Sequence, residues 1–454
     1  MPYPTRMPYP TAASIPPRPS PLHLTLQDGL DALARTHRVP GAQLAVDTGT
    51  EVVSVHTGTA DAVRGTPFTA GTAVPLGSVT KTFTAATVML LVDDEDLDLD
   101  ESVADLLPEM RDLPKVTVRH LLSHTAGLPT GPDSDTAAGL TASRYLSAAC
   151  TADDALFDPG ADFSYSNAGY VAAGRLIETV TGMPWHEAVR VLLLEPLGIT
   201  ASFLGDTAPG RPVAAGHGLN TATGAVRPVR QNLAAVEAPA GGLLASALDL
   251  LALGRALICR SAVVPSATAA VMRRPEQGAE AGALADAWGL GTALHLQAGR
   301  WWCGHDGNAQ GTSCHLRAEP RSGVVVAFTG NAGTATALWR DLSDLVTRLT
   351  GTRIPTAPAR PDRGSPVDLP ECLGTYRNGT SEYRIGPGAD GLPALSIDGD
   401  LHLPLICYPD LSCDLVDPAT GRREPGGRFH RDPADGSIDR VQISGRTARR
   451  VRTG

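Results

Sequence analysis

The chain has 454 residues, of which 42% are hydrophobic, and its formal net charge is −10. This length and apolar content are enough for a large core and predict more than one domain. The acidic balance argues against nucleic acid or an anionic membrane as a main partner, because both are bound through clustered Lys and Arg. No apolar run in the sequence approaches the roughly 18 residues of a membrane span.

The N-terminal segment repeats the string MPYPT, is rich in proline and lacks the apolar core of a signal peptide. We therefore expect residues 1–22 to form a disordered leader, with Met7 as an alternative start, and the protein to be cytoplasmic. The seven cysteines are scattered and include no CxxC pair. This pattern predicts neither a disulfide framework nor a zinc cluster, and no cofactor is implied.

Residues 24–36 have the apolar periodicity of a helix. The next two apolar runs, 42–50 and 51–59, meet at a Gly-Thr turn and predict a β-hairpin. The string GSVTKTFTAATVMLLVDD then predicts a long, largely buried helix that begins near Ser78.

Residues 130–260 are mostly helical patterns interrupted by Pro and Gly, which indicates a helical insertion. One of these helices is predicted to begin at Ser246, where Asp249 completes a variant of the capping box. Strand-like runs return at 288–330, and a helix is expected at about 334–350. Strands at both ends and helices in the middle predict an α+β fold, with an antiparallel sheet flanked by helices and an all-α insertion.

Residues 353–369 are rich in Pro and Arg and lack periodicity. They are predicted to be a linker that connects a catalytic domain, 23–352, to a C-terminal region. Beyond the linker, short strand-like pieces alternate with turn residues. They predict a small separate β domain at 370–454.

Residues Ser78 to Lys81 form an S-x-x-K motif. Residues three apart lie on one face of a helix, so the Lys81 amine can reach the Ser78 hydroxyl, and the positive end of the helix points at the same place. A serine becomes a nucleophile when a base takes its proton, and lysine can act as that base when burial keeps it neutral. Lys81 and Lys115 are the only lysines in the sequence, and this scarcity favours a specific role for Lys81 beside Ser78. A helix cap beside a surface lysine is the alternative.

The string Tyr165-Ser166-Asn167 stands at the start of a predicted helix. A phenol at this position could share proton transfer with Lys81, and the Asn167 amide could hold an amide group of the substrate. An ordinary N-terminal cap by Ser166 or Asn167 is the alternative.

The string His305-Asp306-Gly307 lies between two strand-like segments. Gly307 allows close approach of a substrate, and the Asn308 N–H could pair with that of Ser78 as an oxyanion hole. A turn that contains a hydrogen-bonded histidine is the alternative.

In this order and at these separations, the three strings resemble those of the serine β-lactamase and penicillin-binding protein superfamily. The likeness is strongest to the branch of class C β-lactamases, DD-carboxypeptidases and esterases. It includes LLSHTAGLP at 121–129, PAGGL at 239–243 and GHDGNAQG at 304–311, and it covers about residues 24–350. The resemblance implies a β-lactamase/transpeptidase-like fold.

The resemblance also implies a role for each candidate residue. Ser78 is acylated, Lys81 and Tyr165 transfer protons, and Asn167 binds the acyl portion. His305 replaces the usual Lys of the third motif, a departure that makes strong lactamase activity unexpected.

A catalytic domain followed by a small β domain that ends in GRTARRV resembles many actinobacterial proteins of this branch. Among them are the stand-alone penicillin-binding-protein-type thioesterases, which release and macrocyclise nonribosomal peptides with a D-configured C-terminal residue. This resemblance implies a lipocalin-like barrel whose arginine faces the active site, and Arg446 is the candidate. A surface arginine at the end of a strand is the alternative.

Three functions stay open at this point. The first is an acyltransferase that cyclises or releases a peptidyl substrate, free or on a peptidyl carrier protein. The second is a hydrolase, namely a DD-carboxypeptidase, D-aminopeptidase, esterase or weak β-lactamase. The third is a non-catalytic acyl-binding protein, which the intact motifs disfavour. No metal is expected, because His120 and His124 have ligand spacing but lack the Glu of HExxH.

Overall fold

The computed structural model describes residues 19–220, 222–359, 362–388, 391–400, 402–418 and 420–452. The α-helices of these residues are α1 Pro21–Thr36, α2 Thr80–Asp93, α3 Val103–Leu106, α4 Val118–Ser123, α5 Ser134–Ala137, α6 Ala142–Ala149, α7 Asn167–Thr181, α8 Trp185–Val189, α9 Ala238–Gly241, α10 Ala247–Leu257, α11 Ser266–Met272 and α12 Ala335–Thr350.

The strands of the catalytic domain are β1 Gly41–Asp47, β2 Val52–Asp61, β3 Thr66–Pro67, β4 Val74–Pro75, β5 Gly216–Leu219, β6 Val226–Val229, β7 Leu244–Ala245, β8 Ala287–Trp288, β9 Ala293–Gln297, β10 Arg300–Gly307, β11 Ser313–Ala318 and β12 Val325–Gly330. The C-terminal strands are β13 Gly374–Asn378, β14 Ser381–Pro387, β15 Pro393–Ile397, β16 Leu403–Cys407, β17 Ser412–Val416, β18 Arg423–Arg431, β19 Ile438–Ile443 and β20 Arg446–Arg450.

An eight-stranded sheet in the order β3-β2-β1-β12-β11-β10-β9-β8 forms the centre of the catalytic domain. Its faces are covered by different helices, because successive side chains of a strand point to opposite sides. Leu44 of β1 packs with Leu30 of α1 and Trp339 of α12, whereas its neighbour Ala45 belongs to the core that contains Leu253 of α10. The predicted fold class, an antiparallel sheet flanked by helices, is confirmed.

The predicted leader, 1–22, falls largely outside the described residues, but its end needs correction. Helix α1 already begins at Pro21. The Ser20 hydroxyl accepts a hydrogen bond from the His23 N–H at 3.1 Å, and proline at the first helical position has a backbone angle already suited to a helix.

The helical lobe lies on the α2 side of the sheet. The predicted insertion, 130–260, contains α5 to α10, and the capping box of Ser246 and Asp249 is present at the start of α10. Two short strand pairs, β5–β6 and β4–β7, also contribute to this part of the molecule. None of the helices in the described ranges combines the length with the apolar character that a membrane crossing requires.

The C-terminal strands close into a barrel in the order β13 to β20. Its interior contains Tyr376, Phe429 and other buried apolar side chains. The segment predicted as a linker, 353–369, is packed at both ends. The Pro355 carbonyl accepts from Arg317 Nε at 3.0 Å, and the Val367 N–H donates to the Cys407 carbonyl at 2.9 Å.

Candidate active site

Ser78 lies in a single 3₁₀ turn, Gly77–Val79, directly before α2. Lys81 occupies the first turn of α2, and its Nζ lies 3.4 Å from Ser78 Oγ. Nζ also donates to Asn167 Oδ1 and to the Ala240 carbonyl, both at 2.8 Å. The S-x-x-K motif therefore brings serine and lysine together at a helix N-terminus, as its spacing requires.

Lys81 is only 1% exposed. Burial lowers the pKa of its amine well below the ordinary value, the positive charge of Arg446 lowers the pKa further, and Glu237 acts in the opposite direction. A neutral amine has two N–H bonds and one lone pair. Because Asn167 Oδ1 and the Ala240 carbonyl are acceptors and take the two N–H bonds, the lone pair is left for the Ser78 hydroxyl.

Tyr165 packs beside this pair at the residue just before the cap of α7. Lys81 Nζ lies 4.9 Å from the centre of the phenol ring, and the phenol hydroxyl is buried. Burial raises the pKa of Tyr165, while the neighbouring Ser78 hydroxyl and Arg446 act in the opposite direction. The neutral phenol is placed to donate its proton near Ser78 and Lys81, and it can relay a proton only by giving up its own as it accepts another.

His305 of β10 is buried on the other side of the cleft. Burial is the main cause that lowers its pKa to about 4, so the ring is neutral near pH 7. Nδ1 lies 2.6 Å from the Asp306 carbonyl, which can only accept, so Nδ1 carries the proton and Nε2 has the lone pair. In contrast to a lysine of the third motif, His305 therefore brings no positive charge to the site.

Gly77 and Gly307 let the serine turn and strand β10 approach each other closely. Gly77 has a φ of +53°, and a Cβ there would overlap the Asn308 carbonyl. A Cβ at Gly307 would overlap the Leu76 carbonyl and lie 2.8 Å from the Val79 nitrogen. These contacts place the backbone next to Ser78 against the backbone at Asn308, a close approach that the predicted oxyanion hole requires.

A cleft with a volume of about 250 Å³ opens above Ser78. The guanidinium carbon of Arg446 lies 5.3 Å from the centre of the Tyr165 ring, at the barrel side of the cleft. The residues that line the cleft come from the serine turn, the third motif, the barrel and an apolar wall, and they are Ser78, Tyr165, Leu284, Trp288, Ala293, His305, Asp306, Asn308 and Arg446.

Sequence reasoning overlooked several groups at the site. Leu284, Trp288 and Ala293 form the apolar wall, but the motifs do not include them. The Ala240 carbonyl lies in the PAGGL string, to which the family resemblance assigns no role in binding Lys81. The Gly445 carbonyl, which accepts from the Tyr165 N–H at 2.8 Å, has no signal in the sequence.

The two histidines considered as metal ligands have other partners. His120 Nδ1 accepts from the Thr117 N–H at 3.2 Å in a capping box. His124 Nδ1 accepts from the Ser166 N–H at 3.1 Å, and its ring lies 4.3 Å from that of Tyr165. His124 therefore supports the segment that carries Tyr165.

The motifs, the fold and the cleft agree with one family of enzymes. The family model for Beta-lactamase matches residues 26–347. The chain belongs to this family, within the superfamily of serine β-lactamases and penicillin-binding proteins, whose members are serine hydrolases and acyltransferases.

Individual relatives extend this assignment over most of the chain. Penicillin-binding protein 4 from Amycolatopsis lactamdurans is 34% identical over 370 residues, which cover 78% of this chain and 97% of that protein. The crystal structure of SurE is 37% identical, covers 94% of this chain and 99% of that one, and superposes with a TM-score of 0.83. A D-stereospecific amidohydrolase from Streptomyces is 25% identical, covers 73% of this chain and 99% of its own, and has a TM-score of 0.57.

Proposed function

We propose that the protein transfers a peptidyl group from a thioester to Ser78 and then releases it, preferably as a ring, when the C-terminal residue of that peptide is D-configured. The observation that carries this proposal is the position of Arg446. The barrel places this residue at the wall of the serine cleft, so the C-terminal domain takes part in the site. The likeness to SurE, which includes the barrel, supports the same conclusion.

In the first step, Ser78 Oγ attacks the thioester carbonyl while its proton passes to the Lys81 amine. The ester C–O bond forms, the C–S bond breaks, and the leaving thiolate takes up the proton from the Lys81 ammonium. The N–H groups of Ser78 and Asn308 stabilise the oxyanion, and losing one such donor typically costs about 2.7–4 kcal/mol.

In the second step, the amine at the N-terminus of the bound peptide attacks the ester. The C–N bond forms, the C–O bond to Ser78 breaks, and the proton of the amine returns to Ser78 through Lys81 and Tyr165. Water competes with the amine, but a well-oriented internal amine can reach effective molarities of about 10⁵–10⁸ M. A cleft closed on one side by the barrel favours the amine by limiting the entry of water.

The preference for a D-residue is supported by the relatives. One structure contains SurE with D-Leu and is 36% identical to this chain, with a TM-score of 0.81. The amidohydrolase from Streptomyces is D-stereospecific. We extend the proposal to a donor carried by a peptidyl carrier protein in the cytoplasm, because a carrier presents peptides as thioesters.

The amidohydrolase also favours a second candidate function, hydrolysis of the same acyl-enzyme. The test offers a peptidyl thioester with a D- or an L-configured C-terminal residue, each with a free or an acetylated N-terminus. We expect a ring only from the D-terminated peptide with the free amine, and linear acid or a stalled acyl-enzyme when the amine is acetylated. Linear acid as the only product from free amines of several lengths would establish a hydrolase instead.

A further inference from the structure

The barrel also contacts the catalytic domain through the turn between β13 and β14, beside the strand that carries Arg446. The turn between β13 and β14 lies against the loop before α5, where a Cβ at Gly379 would be 3.1 Å from Pro129 Cβ. Asn378, the last residue of β13, is 2% exposed and points its amide into this contact.

The amide of Asn378 joins three separate parts of the chain. Its Oδ1 accepts from the Thr130 N–H at 2.8 Å. Its Nδ2 donates to the Thr447 carbonyl of β20 at 2.8 Å and to Ser164 Oγ at 3.4 Å. Because each of these groups is buried or nearly so, loss of the amide would leave them without their partner.

The loop that Asn378 holds is in turn attached to the start of α7. The Thr130 carbonyl accepts from the N–H groups of Asn167 and Ala168, both at 3.1 Å. The Pro129 carbonyl accepts from the Ser166 hydroxyl at 2.6 Å. The start of α7 is therefore held in position by hydrogen bonds to the loop as well as by those within the helix.

We propose that Asn378 is a positioning residue for the acylation of Ser78. It fixes Thr130, Thr130 fixes the backbone of Asn167, and the Asn167 amide then holds Lys81 in place for Ser78. Asn378 does not touch the reacting atoms. The proposal rests on the acyl-transfer chemistry of Ser78 and not on the identity of the acyl donor.

Two variants distinguish the contact of the Asn378 amide oxygen with Thr130 from the contact of its amide nitrogen with Thr447. Asn378→Asp keeps an oxygen that accepts from Thr130, but it replaces the donor to Thr447 with a second oxygen that faces the Thr447 carbonyl. Asn378→Ala loses both contacts. If the path through Thr130 sets the geometry, the acylation rate constant at saturating activated ester falls far more in Asn378→Ala, by up to about 100-fold for an ångström of displacement, than in Asn378→Asp.

The control is Tyr408→Phe, which removes a hydrogen bond of 2.9 Å between Tyr408 and Asp414 inside the barrel region and leaves the Thr130 contact intact. All variants are measured at a temperature where thermal melting shows them to be folded. Amide hydrogen exchange of residues 164–168 gives a second readout that needs no activity. We expect faster exchange in Asn378→Ala than in Asn378→Asp, and no change in Tyr408→Phe.

Equal losses of the acylation rate in both Asn378 variants, with unchanged exchange over residues 164–168, would overturn the role of Asn378. A wild-type protein that forms no acyl-enzyme would instead overturn the proposed function. In that case the exchange measurement still decides whether Asn378 holds the start of α7.

Discussion

The neutral amine of Lys81 has two acceptors for its N–H bonds and a serine hydroxyl for its lone pair. Arginine at this position would stay protonated and could not accept the proton of Ser78. We therefore expect Lys81→Arg to lower the single-turnover acylation rate by about 10²- to 10⁴-fold, the usual contribution of a general base. Lys115→Arg, at the exposed second lysine, is the matched control and should keep the wild-type rate. A Lys81→Arg variant with most of its activity would place the base elsewhere.

The rate of acylation should depend on pH through Lys81. Because the folded protein lowers the pKa of this amine well below its ordinary value, the neutral form dominates above the lowered pKa and is lost as the pH falls through it. The pKa of His305 is about 4, so His305 keeps its charge state above about pH 5. A pH–rate profile with an acid limb and a plateau is the expected result. A rate that rises only near the ordinary pKa of lysine would contradict it.

The site depends on how closely β10 approaches the turn that carries Ser78. Gly307→Ala would push the two apart, because the new Cβ would overlap the Leu76 carbonyl. The Asn308 N–H would then miss the oxyanion, and we expect a loss of acylation rate of about 10²- to 10³-fold. The control is Gly333→Ala, whose Cβ meets open space. Stopped-flow acylation of both variants is the measurement, and a Gly307→Ala rate near that of the control would contradict the assignment.

Helices α1 and α10 could be predicted from local patterns in the sequence. The apolar periodicity predicted α1, and the capping signal predicted a helix from Ser246, which is the N-cap of α10, Ala247–Leu257. The serine and lysine of S-x-x-K meet because helical geometry alone brings them together. The tautomer of His305 was not predictable, because it depends on a contact of 2.6 Å with the carbonyl of the next residue.

The barrel contributes a positive charge to the surroundings of Lys81. Arg446 lies on β20 and contributes to the lowered pKa of Lys81. Removal of its charge in Arg446→Ala should let that pKa rise, so the acid limb of the pH–rate profile moves to higher pH. Arg449→Ala removes the same charge from the same strand, but Arg449 donates to the Ala155 carbonyl at 2.9 Å and should leave the limb in place. If the acid limb lies at the same pH in the two variants, Arg446 does not lower the pKa of Lys81.

The joint between the two domains is the part that the sequence could not predict. The strand-like pieces after residue 370 indicated a β domain, and Arg446 was a candidate only through a family resemblance. The contact of the Gly445 carbonyl with the Tyr165 N–H joins two distant parts of the chain and leaves no local pattern. Long-range contacts of this kind arise from the packing of complete domains and not from periodicity.

If Ser78 is the nucleophile, it carries the acyl group during turnover, and intact-mass analysis detects that group. The wild-type protein, Ser78→Ala and Lys115→Arg are each mixed with a peptidyl thioester or an activated ester, quenched in acid and weighed. We predict an adduct with the mass of the acyl group in the wild type and in Lys115→Arg, located by peptide mapping at Ser78, and none in Ser78→Ala. An adduct of the same mass and amount in Ser78→Ala would show that another residue is acylated.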